Sequence, residues 1–86
     1  MSEKSPFKIL VVEDDKNLGF VISDLLEMKG FDVNWSKDGI AGLKEFGLNE
    51  PHLCIIDIMM PKKDGFTLIQ EIKEINSKVP VIFLTA

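Results

Sequence analysis

Acidic residues follow two apolar segments of the sequence at the points where those segments end. Glu13 and Asp14 come directly after residues 7–12, and Asp57 comes directly after residues 53–56. In an open parallel sheet, the ligand site lies outside the carboxyl ends of the strands. If these two segments are neighbouring strands, their axes are about 4.8 Å apart. The three carboxylates would then share one small pocket.

Three carboxylates in one pocket repel one another unless a cation is bound between them. Oxygen ligands favour Mg²⁺, which binds a few carboxylates, keeps several waters and leaves positions for phosphate oxygens. A carboxylate beside such an ion is a competent nucleophile toward a phosphoryl group, which would give an aspartyl phosphate. The alternative for any single acidic residue is a helix cap or a solvated loop position. For Asp15, the third in the acidic run, a helix start is the preferred interpretation.

The segments that must position these residues alternate between strand and helix patterns. Continuous apolar runs with β-branched residues predict buried strands, and apolar residues spaced three and four apart predict helices. The predicted elements are a strand at 7–12, a helix with Leu18, Val21, Ile22, Leu25 and Leu26 on one face, a strand at 31–35, a helix with Ile40, Leu43 and Phe46 inward, a strand at 53–56, a helix with Leu68, Ile69, Ile72 and Ile75 on one side, and a strand at 79–84. This βαβαβαβ pattern predicts an α/β fold with a parallel sheet and helices on both faces.

Composition excludes several classes of function. The chain has 86 residues, a formal net charge of −4 and no basic cluster, so at most one domain and no direct nucleic-acid binding by this segment are expected. There is no signal-peptide pattern and no apolar run long enough for a membrane span. The sequence therefore predicts a cytoplasmic location without a membrane partner. Cys54, the only cysteine, is expected to be a small buried apolar residue.

Three motifs together resemble the receiver domain of two-component response regulators. They are ILVVEDD at residues 9–15, DIMMPKKDG at residues 57–65 and VIFLTA at residues 81–86. The spacing of acidic pair, acceptor aspartate and Pro-x-x-Asp-Gly is highly specific, whereas either piece alone is a weak signal. The resemblance implies a flavodoxin-like, doubly wound parallel sheet with strand order 2-1-3-4.

Carried over residue by residue, the resemblance implies a phosphoryl switch. Asp57 would accept the phosphoryl group from a sensor histidine kinase. Mg²⁺ would be held by Glu13, Asp14, Asp57 and the backbone carbonyl of Met59, with Asp14 as a direct ligand and Glu13 acting through water. Thr85 would supply the switch hydroxyl that moves toward the phosphoryl oxygens. Such a domain is a signalling module and not an enzyme, beyond self-catalysed phosphorylation and dephosphorylation.

A complete receiver has five strands and five helices, whereas this sequence matches the family only as far as the fourth strand. The expected organisation is a disordered or extended stretch at residues 1–6 and a partial receiver domain at residues 7–86. The fourth helix, the fifth strand with its lysine, and the fifth helix would be missing. The motifs favour transcriptional regulators, so DNA would be contacted only through an effector domain absent from this chain. An uncovered fourth strand predicts self-association through its edge and the sheet faces.

Other functions compete with this interpretation. A nucleotide-binding enzyme on a similar sheet needs glycines directly after the first strand, where this sequence has acidic residues that would repel pyrophosphate. An aspartate-based phosphatase has a second acid two residues after its nucleophile, where this sequence has Met59. The remaining alternative is a fragment that acts only as an interaction or folding module without phosphotransfer. Trp35, the only tryptophan, is expected to be a packing residue, and Pro61 and Gly65 are expected to shape the loop after Asp57.

Overall fold

The computed structural model describes residues 7–60 and 63–84 of the chain. The elements in chain order are β1 (Lys8–Val12), α1 (Lys16–Met28), β2 (Asp32–Ser36), α2 (Gly39–Asn49), β3 (Leu53–Asp57), α3 (Gly65–Ile75) and β4 (Val81–Leu84). They match the predicted elements in type and order. None of the described helices has the length and apolar character needed to cross a membrane.

The four strands form one parallel sheet in the order β2-β1-β3-β4. The predicted α/β fold class and the strand order 2-1-3-4 are therefore confirmed. In this order β1 and β3 lie side by side, with Val12 opposite Ile56. Because both strands run in the same direction, the residues that follow them emerge at the same edge of the sheet.

The main core lies between the sheet and the pair of helices α2 and α3. Its buried members are Leu10, Val12, Phe46, Cys54, Ile56, Met60, Leu68, Ile72 and Val79. Cys54 is fully buried, as predicted, and this burial raises the pKa of its thiol to about 12. The thiol is therefore protonated at neutral pH, which is typical of a structural cysteine.

The α2 helix approaches the sheet closely because glycine lies on its inner side. A Cβ atom added to Gly42 would lie 2.8 Å from a methyl carbon of Val12. The inner face is completed by Phe46, whereas Ile40 is 60% exposed. The prediction that Ile40 faces inward is wrong, because a pattern of apolar residues does not register glycine as a residue that faces the core.

The α1 helix packs against β1 and β2. Right-handed crossovers put it on the sheet face opposite α2 and α3, because the chain moves from β1 to β2 in one direction and from β2 to β3 in the other. Its predicted apolar face is only partly covered within the described residues, since Leu18, Val21 and Leu25 remain exposed. Only Gly19 is buried in this helix.

Each of the three helices begins directly after an aspartate that caps it, namely Asp15, Asp38 and Asp64. The side chain of such a residue accepts hydrogen bonds from N–H groups that have no partner within the helix. The predicted cap at Asp64 is confirmed. Its carboxylate accepts hydrogen bonds from the backbone N–H and the hydroxyl of Thr67, and these bonds lower the pKa of Asp64.

Two isoleucines in the last turns of α3 differ in burial and allow the contribution of core packing to be tested. Ile72 is fully buried, whereas Ile75, which was expected on the same face, is 59% exposed because it lies at the end of the helix. We expect Ile72→Ala to lower the free energy of unfolding by about 2–5 kcal/mol, since it leaves a cavity in the core. The matched Ile75→Ala change should stay within about 0.5 kcal/mol. Urea denaturation followed by circular dichroism measures both, and equal losses would contradict the described core.

Candidate functional site

Glu13, Asp14 and Asp57 meet at the carboxyl edge of the sheet. One carboxylate oxygen of each residue lies within 4.8 Å of the corresponding oxygens of the other two. Glu13 and Asp14 follow β1, and Asp57 is the last residue of β3, so the pairing of these strands brings the three together. Two oxygens on opposite sides of one Mg²⁺ are separated by about 4.2 Å, twice the usual contact distance. The spacing of the cluster therefore suits a single small divalent cation.

Glu13 is the buried member of the cluster, with 2% of its surface exposed. Its Oε2 atom accepts a hydrogen bond of 3.1 Å from the backbone N–H of Asp15, whereas its buried Oε1 atom has no hydrogen-bond partner among the residues that the structure describes. The pKa of Glu13 is raised from its ordinary value of 4.5 to about 7, chiefly by burial; the Asp15 N–H acts against this rise, and Asp57 and Asp14 add to it. A buried acceptor without a partner is destabilising, and a bound cation or one of its waters would satisfy it.

Asp15 has a different role from the two acidic residues before it. Its Oδ1 atom accepts hydrogen bonds from the backbone N–H groups of Asn17 at 2.9 Å and Leu18 at 3.2 Å. These contacts cap the first turn of α1. The interpretation of Asp15 as a helix-start residue is therefore confirmed, and the carboxylate is held by the helix at the border of the cluster.

Asp57 is oriented by the loop that follows it. Its Oδ1 atom accepts a hydrogen bond of 3.1 Å from the backbone N–H of Met59. The loop then returns so closely that a Cβ atom on Gly65 would lie 2.6 Å from both the carbonyl oxygen of Asp57 and the Cα atom of Ile58. Glycine is thus required where α3 begins beside Asp57, as predicted for Gly65, whereas Pro61 lies outside the described residues.

Two other predicted site residues are only partly accounted for. Met59 lines the same cleft as Glu13, Asp14 and Asp57, with its side chain 71% exposed, and the role of its backbone carbonyl stays a prediction. Thr85 lies outside the described residues, so its role also stays a prediction. The preceding residue, Leu84, pairs with Asp57 and lines the cleft, so β4 ends beside the acidic cluster.

Trp35 contacts the site, although the sequence indicated only a packing role for it. Its indole Nε1–H donates a hydrogen bond of 2.9 Å to the backbone carbonyl of Glu13. The backbone carbonyl of the next residue, Ser36, accepts a hydrogen bond of 3.0 Å from the Glu13 backbone N–H. The only signal in the sequence is the location of this tryptophan near the carboxyl end of a strand that borders β1.

Comparison with known proteins places the chain in a family. Residues 9–86 match the sequence model of the response regulator receiver domain. The chain belongs to this family. The resemblance to the receiver domain that the motifs indicated is therefore confirmed. The matched segment contains all three residues of the acidic cluster.

Individual relatives agree with this membership. The receiver domain is 50% identical over 86 residues to the transcriptional regulatory protein RprY of Bacteroides fragilis, covering 100% of this chain and 36% of that protein. It superposes with a TM-score of 0.88 and 32% identity on the non-phosphorylated HemR receiver domain from Leptospira biflexa, covering 93% of this chain and 64% of that one. A CheX–CheY–BeF3–Mg+2 complex from Borrelia burgdorferi matches with a TM-score of 0.88 and 25% identity, covering 93% and 62%. The chain thus spans about a third of the length of the curated relative.

The raised pKa of Glu13 predicts how the stability of the metal-free receiver domain depends on pH. Because its pKa is about 7 in the folded protein against an ordinary 4.5, the folded state favours the protonated form. The free energy of unfolding in EDTA should therefore be highest below about pH 4.5 as far as Glu13 contributes, and should fall as pH rises through about 7.

The control is Glu13→Gln, which keeps the shape and cannot ionise. Urea denaturation from about pH 5 to about pH 8 should show a smaller decline for this variant, so the difference between variant and wild type grows with pH. Parallel curves for the two proteins would contradict the assigned pKa of Glu13.

Proposed function

We propose that this receiver domain accepts a phosphoryl group on Asp57 from a sensor histidine kinase, with Mg²⁺ held by Glu13, Asp14 and Asp57. The observation that carries the proposal is the convergence of the three carboxylates to within 4.8 Å. Within residues 7–60 and 63–84, one buried oxygen of Glu13 has no hydrogen-bond partner. Repulsion among these groups would be relieved by a divalent cation. The backbone carbonyl of Met59, in the same cleft, is proposed as a further ligand.

The residues of the cluster fit Mg²⁺ by the chemistry of their donors. All three offer hard carboxylate oxygens, and no softer nitrogen or sulfur ligand belongs to this cluster of described residues. When bound, Mg²⁺ would neutralise the charge shared between the acceptor carboxylate and the phosphoryl oxygens. The matched CheX–CheY complex from Borrelia burgdorferi contains Mg+2 and BeF3, which supports the same chemistry for this chain.

Asp57 is suited to act as the nucleophile. The Met59 N–H holds one of its carboxylate oxygens at 3.1 Å, and this contact limits rotation of the side chain. In the proposed transfer, a carboxylate oxygen of Asp57 forms a bond to phosphorus while the phosphorus–nitrogen bond of a phosphohistidine breaks. The bonding electrons leave with the imidazole, and the product is the acyl phosphate of Asp57.

Replacing the acceptor tests the proposal directly. Asp57→Asn should abolish phosphorylation by acetyl phosphate in the presence of Mg²⁺, because an amide cannot form an acyl phosphate. Intact-mass spectrometry would show the gain of one phosphoryl group on the wild type and none on the variant. The control is Asp24→Asn, the same chemical change at an exposed position of α1, which should be phosphorylated like the wild type. Incorporation into the Asp57 variant at the wild-type level would overturn the assignment.

The output of the switch is also a proposal. The 50% identical relative is named a transcriptional regulatory protein, so we infer that phosphorylation controls transcription through a DNA-binding effector domain in the cytoplasm. Thr85 is proposed as the switch hydroxyl that responds to the phosphoryl group. A module that only mediates interaction or folding is less well supported, because it needs no cluster of three carboxylates.

The edge strand supports a further proposal about the 86-residue chain itself. Within the described sheet, β4 pairs only with β3, and its neighbouring residues Ile82 and Phe83 are 50% and 48% exposed. Successive residues of a strand point to opposite faces, so apolar surface is uncovered on both. An exposed apolar edge is a template for pairing, and we therefore propose association with a second copy through β4 and the sheet faces.

Light scattering coupled to size exclusion should show a mass above the 9.7 kDa of one chain. Ile82→Lys should shift the protein toward monomer, because a charge on an edge strand opposes pairing. The control Ile75→Lys places the same change at a position of α3 that is 59% exposed, against 50% for Ile82, and should leave the mass unchanged. A wild-type monomer that is well folded and remains in solution would contradict self-association.

A further inference from the structure

Two hydrogen bonds with β2 hold the backbone of Glu13. Its N–H donates to the carbonyl of Ser36 at 3.0 Å, and its carbonyl accepts from the indole N–H of Trp35 at 2.9 Å. Together these bonds orient the two peptide groups that flank the Cα atom of Glu13. They therefore determine the direction in which its side chain leaves the backbone. Because the Glu13 carbonyl belongs to the same peptide plane as the Asp14 N–H, they also constrain the start of Asp14.

The indole occupies a niche on α1 that only glycine provides. A Cβ atom on Gly19 would lie 2.2 Å from the Cε2 and Cζ2 atoms of Trp35 and 2.6 Å from Nε1, distances that no side chain could tolerate. Glycine in the interior of a helix is destabilising relative to alanine. Gly19 nevertheless lies inside α1. The gain is that the indole packs closely against Gly19 of α1 while its N–H donates to the carbonyl of Glu13 at the end of β1.

We propose that Trp35 is a positioning residue for the acidic cluster, and that its hydrogen bond to the Glu13 carbonyl sets how tightly the cluster binds a divalent cation. The proposal rests on the proposed function, since it assumes that Glu13 and Asp14 hold Mg²⁺. The hydrogen bond of Trp35 reaches the backbone of Glu13 and not its carboxylate, so the proposed effect acts through the backbone. Trp35 would thus act as a hydrogen-bond partner that orients the residues holding the metal. Removal of such partners commonly weakens metal binding by about 10–100-fold.

The indole N–H allows a test on the wild-type protein. Trp35 is the only tryptophan, so one indole resonance is expected in a ¹H–¹⁵N spectrum. Titration with Mg²⁺ alone should shift this resonance with the same apparent Kd as the backbone amide of Asp14, because the acceptor of the indole N–H is the carbonyl joined to that amide. In Asp14→Ala, which removes a carboxylate of the cluster, both shifts should be greatly weakened.

A pair of variants separates positioning from packing. Trp35→Phe retains most of the aromatic bulk and loses the N–H, and it should raise the Kd for Mg²⁺ by roughly 10-fold by calorimetry, at the lower end of the range for such partners. Ile72→Ala, a core change in α3, should lower stability while leaving the Kd unchanged at a temperature where the variant is folded.

The outcomes distinguish the two levels of inference. A wild type that does not bind Mg²⁺ would overturn the proposed function, and the positioning role with it. A wild type that binds Mg²⁺ without moving the indole resonance, or a Trp35→Phe variant with the wild-type Kd, would overturn the positioning role alone. The titration of the wild type stands whether or not the Trp35 variant folds.

Discussion

Repulsion among three carboxylates is the constraint on which this receiver domain depends. The pairing of β1 with β3 forces Glu13, Asp14 and Asp57 together, and Glu13 is also taken out of water. Backbone donors offset part of the resulting cost, since Asp15 donates to Glu13 and Met59 donates to Asp57. These donors reach one oxygen of Glu13 and one of Asp57, and in the described part of the chain the Oε1 atom of Glu13 still has no partner. The fold therefore maintains a local instability that a cation would remove, which is how a site gains affinity from the stability of its scaffold.

Three consecutive acidic residues at the end of β1 have three different environments. Glu13 is buried against the sheet, Asp14 is exposed at the cleft, and Asp15 caps α1. The division follows from the transition between a strand, whose successive side chains alternate in direction, and a helix, whose first N–H groups need an acceptor. The same chemical group is thus a buried acceptor at Glu13, an exposed carboxylate at Asp14 and a helix cap at Asp15.

Much of the fold and of the acidic cluster could be predicted because both follow from residue type and spacing. Apolar runs ending in acidic residues predict parallel strands with a common functional edge, and the order of the sheet brings Asp57 beside Glu13. Spacing failed where a contact is made by an absent side chain or by the backbone. Apolar spacing predicts that Ile40 faces inward, whereas the residue of α2 that faces the sheet is Gly42, which has no apolar side chain to signal it. The contact of Trp35 with a carbonyl depends on the separation of β1 and β2 and not on any pairing of side-chain types.

The two sides of the cluster are supported by unequal packing. The strands on both sides are well buried, since Val12 and Ile56 are both 0% exposed. The difference lies in the helices, because Asp57 leads into α3, whose Leu68 and Ile72 are fully buried. Glu13 and Asp14 instead precede α1, whose only buried residue is Gly19. An element with few buried contacts opens more readily than one with many, and its motion would reach the cluster through the short segment that joins β1 to α1. The indole of Trp35 spans this weaker side, in contact with Gly19 and bonded to Glu13. One hydrogen bond to the backbone thereby supplies order that burial of α1 does not.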